Sequence, residues 1–312
     1  MTDKLDPLGL KTSRRNALKC GLWTGAGILW GVSGGVPRAL GFERDAGVAT
    51  GDFIFAQVSD SHLGFKKAPN PDSVGTFREA IRRIEDLPVR PAFLIHTGDV
   101  SQLSKPAQFA TAADIIRGTG LEAHFLPGEH DILDEDGATF FEHFPTGAKT
   151  GGWYSFDHSG IHFVVLVNVF DFKAGGFGQL GTTQLEWLKS DLQGRSSSTP
   201  IVVFTHIPLW MAYRQWGWGT VDGEQALTYL KRFGSVTVLN GHIHQVLQKV
   251  EGHVSFHTAM STAFPQPAPG TAPNPGPLKV PPGQLRSTLG ITSVYLSHHH
   301  PFTSLADVTL AS

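Results

Sequence analysis

A single cysteine in 312 residues, Cys20, rules out an intramolecular disulfide and any site built from several thiolates. An excess of one charge is missing too. Lys and Arg number 25 against 27 Asp and Glu, a formal net charge of -2, so no global basic field exists to hold a nucleic acid polymer or an acidic membrane. An anionic substrate must be drawn in by local charge, which a bound metal supplies. Long apolar runs are absent as well: the best candidate, 21–36, is short and broken by glycine, below the ~20 residues a spanning helix needs. Against these absences stand 40% hydrophobic and 17% charged residues, the balance of a globular chain, and 15 histidines.

The N-terminal segment differs from the rest. Ser13, Arg14 and Arg15 are followed by Leu18 and Lys19, a weakly apolar Gly-rich stretch runs from Gly21 to Val36, and Ala39-Leu40-Gly41 offers a cleavage site. This resembles a twin-arginine export signal, with Ala17 where phenylalanine is usual; an N-terminal membrane anchor is the other reading. Cleavage after Gly41 would remove six Lys/Arg, two Asp and Cys20, leaving a thiol-free chain of net charge -6. The resemblance implies recognition by the twin-arginine export machinery, a periplasmic or otherwise exported location, and no membrane span after processing.

Beyond it, strand-length apolar runs alternate with helical patterns. Strands are expected at 53–59, 92–96, 122–127, 200–206 and 235–244, and two more around a Ser159-Gly160 turn within 153–168. Helices are expected from Ser73, as its cap, to Leu87 before Pro88, and over 106–117, 182–193 and 222–233. Hairpin strands close the chain. Residues 265–283 hold eight prolines, which excludes a helix or central strand. Only about thirty residues follow, too few for an independent domain, so 42–312 reads as one domain with a long surface loop.

The chemistry lies where these strands end. Asp60-Ser61-His62, Gly98-Asp99, Gly128-Glu129-His130-Asp131, His206 and Gly241-His242-Ile243-His244 each follow an apolar strand directly. In α/β folds the carboxyl edge of the strands is where sites are built. Asp-x-His and Gly-Asp say nothing alone, whereas Gly-x-His-Asp and Gly-His-x-His are each expected roughly 0.1 times by chance. Coincidence fails for the ordered set.

The set resembles the calcineurin-like metallophosphoesterase superfamily, whose motifs run Asp-x-His, Gly-Asp, Gly-Asn-His-[Asp/Glu], a later His, and Gly-His-x-His. Local likeness is to its cyclic-nucleotide phosphodiesterase-like branch, through 58–64, 96–102 and 240–245. The resemblance implies an α/β fold, a four-layer α/β/β/α sandwich of two mixed sheets flanked by helices, with a dinuclear metal site at the strand ends. It implies that Asp60, His62 and His244 hold one ion, that Glu129, His206 and His242 hold a second, and that Asp99 bridges them. Imidazole and carboxylate suit iron, manganese or zinc. The implied activity is hydrolysis of small phosphate esters, diesters above all, by water activated between the ions. His130 would protonate the leaving group, with Asp131 bonded to its other ring nitrogen.

One position departs from the pattern: Glu129 stands where Asn is usual. It is either a charged ligand favouring a harder or more highly charged metal, or it turns away and weakens the second position. A non-catalytic metal-binding scaffold is therefore the competing function. Gln102 occupies the place where the purple acid phosphatase branch has tyrosine, so no tyrosinate colour is expected. Trp210, Tyr213, Trp216 and Trp218 either line a pocket for a flat leaving group or pack on the sheet edge. His96 and His124 read as core histidines, Asn168 is placed to face the cleft, and His298, His299 and His300 form an exposed turn or an accessory metal site.

Overall fold

Which face of each strand is apolar decides the architecture. In the computed structural model, strand backbones at 30–33 and 36–39 are described together with residues 52–311, except 134, 147–150, 173–175, 282 and 297–302. Most of the expected export signal, and His298, His299 and His300, lie outside the described residues.

One sheet holds seven strands in the order β2 (Val36–Ala39), β1 (Trp30–Ser33), β13 (Thr303–Thr309), β12 (Gly290–Leu296), β3 (Phe53–Val58), β4 (Phe93–His96), β5 (Glu122–Phe125). The other holds six: β10 (Gln248–Glu251), β11 (Val254–Thr258), β9 (Val236–Asn240), β8 (Ile201–Thr205), β7 (Ile161–Val165), β6 (Tyr154–His158). β3, β4 and β5 run parallel, as do β7, β8, β9 and β11, and hairpin partners make both sheets mixed. The hairpin β1–β2 was not expected; it lies inside the segment read as a signal, and its strand β1 pairs with β13.

The central strands are buried on both faces, hence their unbroken apolar runs. Alternation sends Phe55, Phe93, Phe163 and Phe204 into the layer between the sheets, where Phe55 stacks on Phe93 at 4.8 Å and Phe93 meets Phe163 edge-on at 5.3 Å. The neighbours Ala56, Val58 and Leu94 face outward onto α1 (Ser73–Glu85), α2 (Pro106–Arg117) and α3 (Ala138–His143) through Phe77, Ile81, Phe109 and Phe140. On the far side Val164, Val203 and Val238 meet α4 (Thr182–Leu192) and α5 (Gly223–Leu230) through Leu188 and Leu227. The result is the four-layer sandwich.

Helix α1 begins one residue earlier than its sequence suggests. Asp72 is the cap, accepting from Gly75 N at 2.8 Å, while Ser73 Oγ donates to the Phe65 carbonyl. Phe163 is fully buried at the centre of the sandwich, so Phe163→Ala should destabilise the fold by about 3–5 kcal/mol. Urea unfolding of the purified variant checks this.

Candidate metal centre

Both sheets deliver their loops to one edge. Asp60 and His62 follow β3, Asp99 follows β4, Glu129, His130 and Asp131 follow β5, His206 follows β8, and His242 and His244 follow β9. Five of these residues hold left-handed backbone: Asp60 (φ 52), His62 (φ 40), Asp99 (φ 53), His242 (φ 67) and His244 (φ 58). Each such residue costs on the order of 1–3 kcal/mol, although Asp and His tolerate the region better than most. Hydrogen bonds between the loops hold them there: Asp60 N to Gly98 O at 3.0 Å, His62 N to Asp99 O at 2.9 Å, and His242 N to Asp60 Oδ1 at 3.1 Å. The motif glycines follow from crowding. A side chain on Gly128 would run into the Asp99 carboxylate, and one on Gly241 into Ser59 and Asp60.

The side chains gather into two clusters. In the first, His62 Nε2 lies 3.2 Å from His244 Nε2 and 3.4 Å from Asp99 Oδ2, and His244 Nε2 lies 3.3 Å from Asp60 Oδ1. In the second, Glu129 Oε2 lies 2.8 Å from His206 Nε2 and Glu129 Oε1 lies 3.0 Å from His242 Nδ1. Asp99 Oδ2 faces both, being 3.5 Å from His206 Nε2 as well. These gaps match the spacing of neighbouring ligands around cations bound at ~2.1 Å.

Hydrogen bonds also choose the tautomers. His206 Nδ1–H donates to the Thr97 carbonyl at 2.7 Å and His244 Nδ1–H to the Phe264 carbonyl at 2.6 Å, so each turns its Nε2 lone pair inward. His206 Nε2 is buried and makes no well-directed hydrogen bond, its neighbours being the Glu129 and Asp99 carboxylates at 2.8 and 3.5 Å. Burial holds the His62 imidazole down to about 3, against the pull of Asp99, and so keeps it in the neutral form that ligates. Burial would raise the Asp60 and Glu129 carboxyls, yet the surrounding histidines hold both below the usual carboxylate range. Burial would likewise lower His206, but Asp99 and Glu129 raise it well above the ordinary range. The pocket thus draws positive charge to one point. Buried imidazole nitrogens turned inward and three carboxylates at ligand spacing fit a pair of cations.

His130 sits beside the two clusters, its ring 4.8 Å from that of His62 and a ring nitrogen within ligand spacing of Asp99 and Glu129. Its Nδ1–H donates to the Gln102 carbonyl at 2.9 Å, which leaves Nε2 as its available nitrogen. The expected bond from Asp131 to that ring is not formed. Asp131 is fully buried and accepts instead from Val100 N, Ser101 N and Gly128 N at 3.0, 2.8 and 3.0 Å, and from Ser101 Oγ at 2.9 Å. The reason is local: 129–131 form a turn of 3₁₀ helix, in which successive side chains point about 120° apart. Asp131 pins the loop after β4 to the loop after β5, and Ser101 and Ser104 hydroxyls complete the clamp on the His130 carbonyl.

Trp216 and Trp218 pack around Ile243, the residue between His242 and His244, and Trp210 stacks on Phe256 at 5.3 Å, so these indoles act as packing buttresses. Asn168 is buried, and its amide braces Ile207, next to His206, through Nδ2–H to Ile207 O at 2.7 Å. His96 bonds Ser61 Oγ through Nε2 at 2.9 Å, and His124 stacks on Phe156 at 4.0 Å. Sequence reading missed the orienting groups Thr97 O, Phe264 O and Gln102 O. Backbone carbonyls leave no mark in residue identity.

The calcineurin-like phosphoesterase family matches residues 53–246. Among relatives, a 3',5'-cyclic-nucleotide phosphodiesterase of Nostoc sp. is 25% identical over 215 residues, covering 67% of this chain and 78% of that one. A serine/threonine-protein phosphatase of Danio rerio is 25% identical over 228 residues, covering 63% and 71%. A crystal structure of a dimetal phosphatase from Danio rerio superposes with a TM-score of 0.61 at 13% identity, covering 83% of this chain and 97% of that one. With the match spanning β3 through the Gly-His-Ile-His loop, and the Asp/His cluster assembled at its strand ends, the chain belongs to the calcineurin-like phosphoesterase family and is a dinuclear-metal phosphoesterase.

Proposed function

We propose that this phosphoesterase is an exported phosphodiesterase working with two ions drawn from iron, manganese and zinc. The carrying observation is one oxygen, Asp99 Oδ2, that faces His62 of one cluster and His206 of the other at 3.4 and 3.5 Å. In this reading Asp60, His62 and His244 hold one ion, Glu129, His206 and His242 hold the other, and Asp99 serves both. Bound there, the pair supplies Lewis-acid polarisation of the phosphoryl group and a water acidified towards neutral pH.

The chain's own residues do the remaining work. Thr97 and Phe264 carbonyls fix which nitrogens of His206 and His244 face inward. The Gln102 carbonyl holds His130 by Nδ1–H, so a proton can pass from Nε2 to the departing alkoxide. Asp131 acts as a positioning residue, keeping the His130 loop in register with that of Asp99. The paired Arg14 and Arg15 support export, which favours an extracytoplasmic substrate: a nucleotide, a 2',3'-cyclic nucleotide or a glycerophosphodiester. The cyclic-nucleotide phosphodiesterases among the relatives support a diester.

The test is hydrolysis of a chromogenic phosphodiester and the matching monoester by protein reconstituted with manganese, zinc or iron. Faster turnover of the diester with at least one metal is expected. A preferred monoester would overturn the diester assignment, and no rate above background with any metal would favour the scaffold.

A further inference from the structure

We propose that Glu129 sets the charge class of the ion pair: with His206 and His242 it forms a position that selects a trivalent cation, ferric iron, over a second divalent one. This rests on the dinuclear reading above. Three observations lead to it.

The first is orientation. The Glu129 carboxylate points inward, one oxygen 2.8 Å from His206 Nε2 and the other 3.0 Å from His242 Nδ1, and the residue is only 16% exposed. The alternative in which Glu129 turns away is therefore not the conformation adopted. The second is constraint. The backbone around Glu129 is held on both sides: Gly128 lies so near Asp99 that a side chain there would strike its carboxylate, and Asp131, two residues on, accepts four hydrogen bonds. The methylene that Glu has beyond Asn therefore extends into the pocket.

The third is charge. Asp60, Asp99 and Glu129 place three carboxylates around the two positions. With neutral imidazoles, two divalent ions would leave a net charge of about +1, where a neutral amide at 129 would leave about +2. Replacing one divalent ion by a trivalent one restores the higher value, which an anionic phosphodiester needs for binding. The added carboxylate also attracts an ion in proportion to that ion's charge. It is a hard oxygen donor, the kind that suits hard cations. Of the three metals that the donor set fits, iron reaches the trivalent state most readily. Position 102 holds Gln and not Tyr, so no tyrosinate colour from that position reports the metal and the assignment is read by other means.

The experiment measures metal and not rate. Protein is purified aerobically from medium holding equal iron, manganese and zinc, then subjected to elemental analysis and electron paramagnetic resonance. The chains compared are wild type, Glu129→Gln, which keeps length and loses charge, and Glu129→Asp, which keeps charge and loses length. Circular dichroism confirms folding of each. Wild type is expected to hold one ferric ion beside one divalent ion. In Glu129→Gln the iron-to-zinc ratio should fall by ~10-fold or more, while Glu129→Asp keeps ferric iron. Unchanged iron content and valence in Glu129→Gln would overturn the proposal. Two divalent ions in an active wild type would overturn it too and leave the phosphoesterase reading standing. A wild type that binds no more metal than Asp99→Asn would overturn both.

Discussion

Asp99→Asn is expected to lower turnover by more than ~10³-fold and to remove at least one of the two ions. The substitution is nearly isosteric, and Asn tolerates the left-handed backbone that Asp99 adopts (φ 53). Its amide oxygen can still accept from His130 N, now 2.9 Å from Asp99 Oδ1. What changes is the other atom. Asp99 Oδ2 presents a negative acceptor to His62 Nε2 and His206 Nε2, and Asn would present either a neutral acceptor or an N–H donor. The fold is therefore kept while the one group shared by the two clusters is lost. Elemental analysis alongside kcat/KM checks the result. Retained metal with retained turnover would take Asp99 out of the centre.

His130→Ala should act on one step only. For a diester whose leaving group is an ordinary alkoxide, loss of the proton donor is expected to cost ~10²–10⁴-fold in kcat. A nitrophenolate departs without protonation, so for that substrate the loss should stay within about tenfold. Metal content should not change, because His130 lies beside the two clusters and its Nδ1 is already bonded to the Gln102 carbonyl. Equal losses for both leaving groups would mean that His130 positions the substrate and transfers no proton.

Much of this molecule was legible before its coordinates. Strands such as 53–58 and 201–205 are buried on both faces, so their uninterrupted apolar runs declared them. Seven chemistry-bearing side chains at strand ends are also visible as residue types at fixed intervals. Less legible was anything settled by direction. The motif resemblance implies a bond from Asp131 to its neighbour's ring, whereas a tight turn separates the two side chains. The aromatic residues near 210–218 could have lined a pocket or packed; the burial of Trp216 and Trp218 around Ile243 and the stacking of Trp210 on Phe256 are tertiary facts with no local signature. Asp72 and Ser73 are both competent caps, and only the observed bond to Gly75 N distinguishes them. The short helix α3, six residues long, lies below the length at which periodicity can be read.

The donor set is divided between halves of the sandwich: Asp60, His62, Asp99 and Glu129 come from loops of the seven-stranded sheet, and His206, His242 and His244 from those of the six-stranded one. Any cation seated among them is consequently a rivet through a seam. Each ion present at a thousandfold excess over its Kd adds about 4 kcal/mol to the resistance of the whole to coming apart, so a chelator would loosen the very joint along which these two slabs meet.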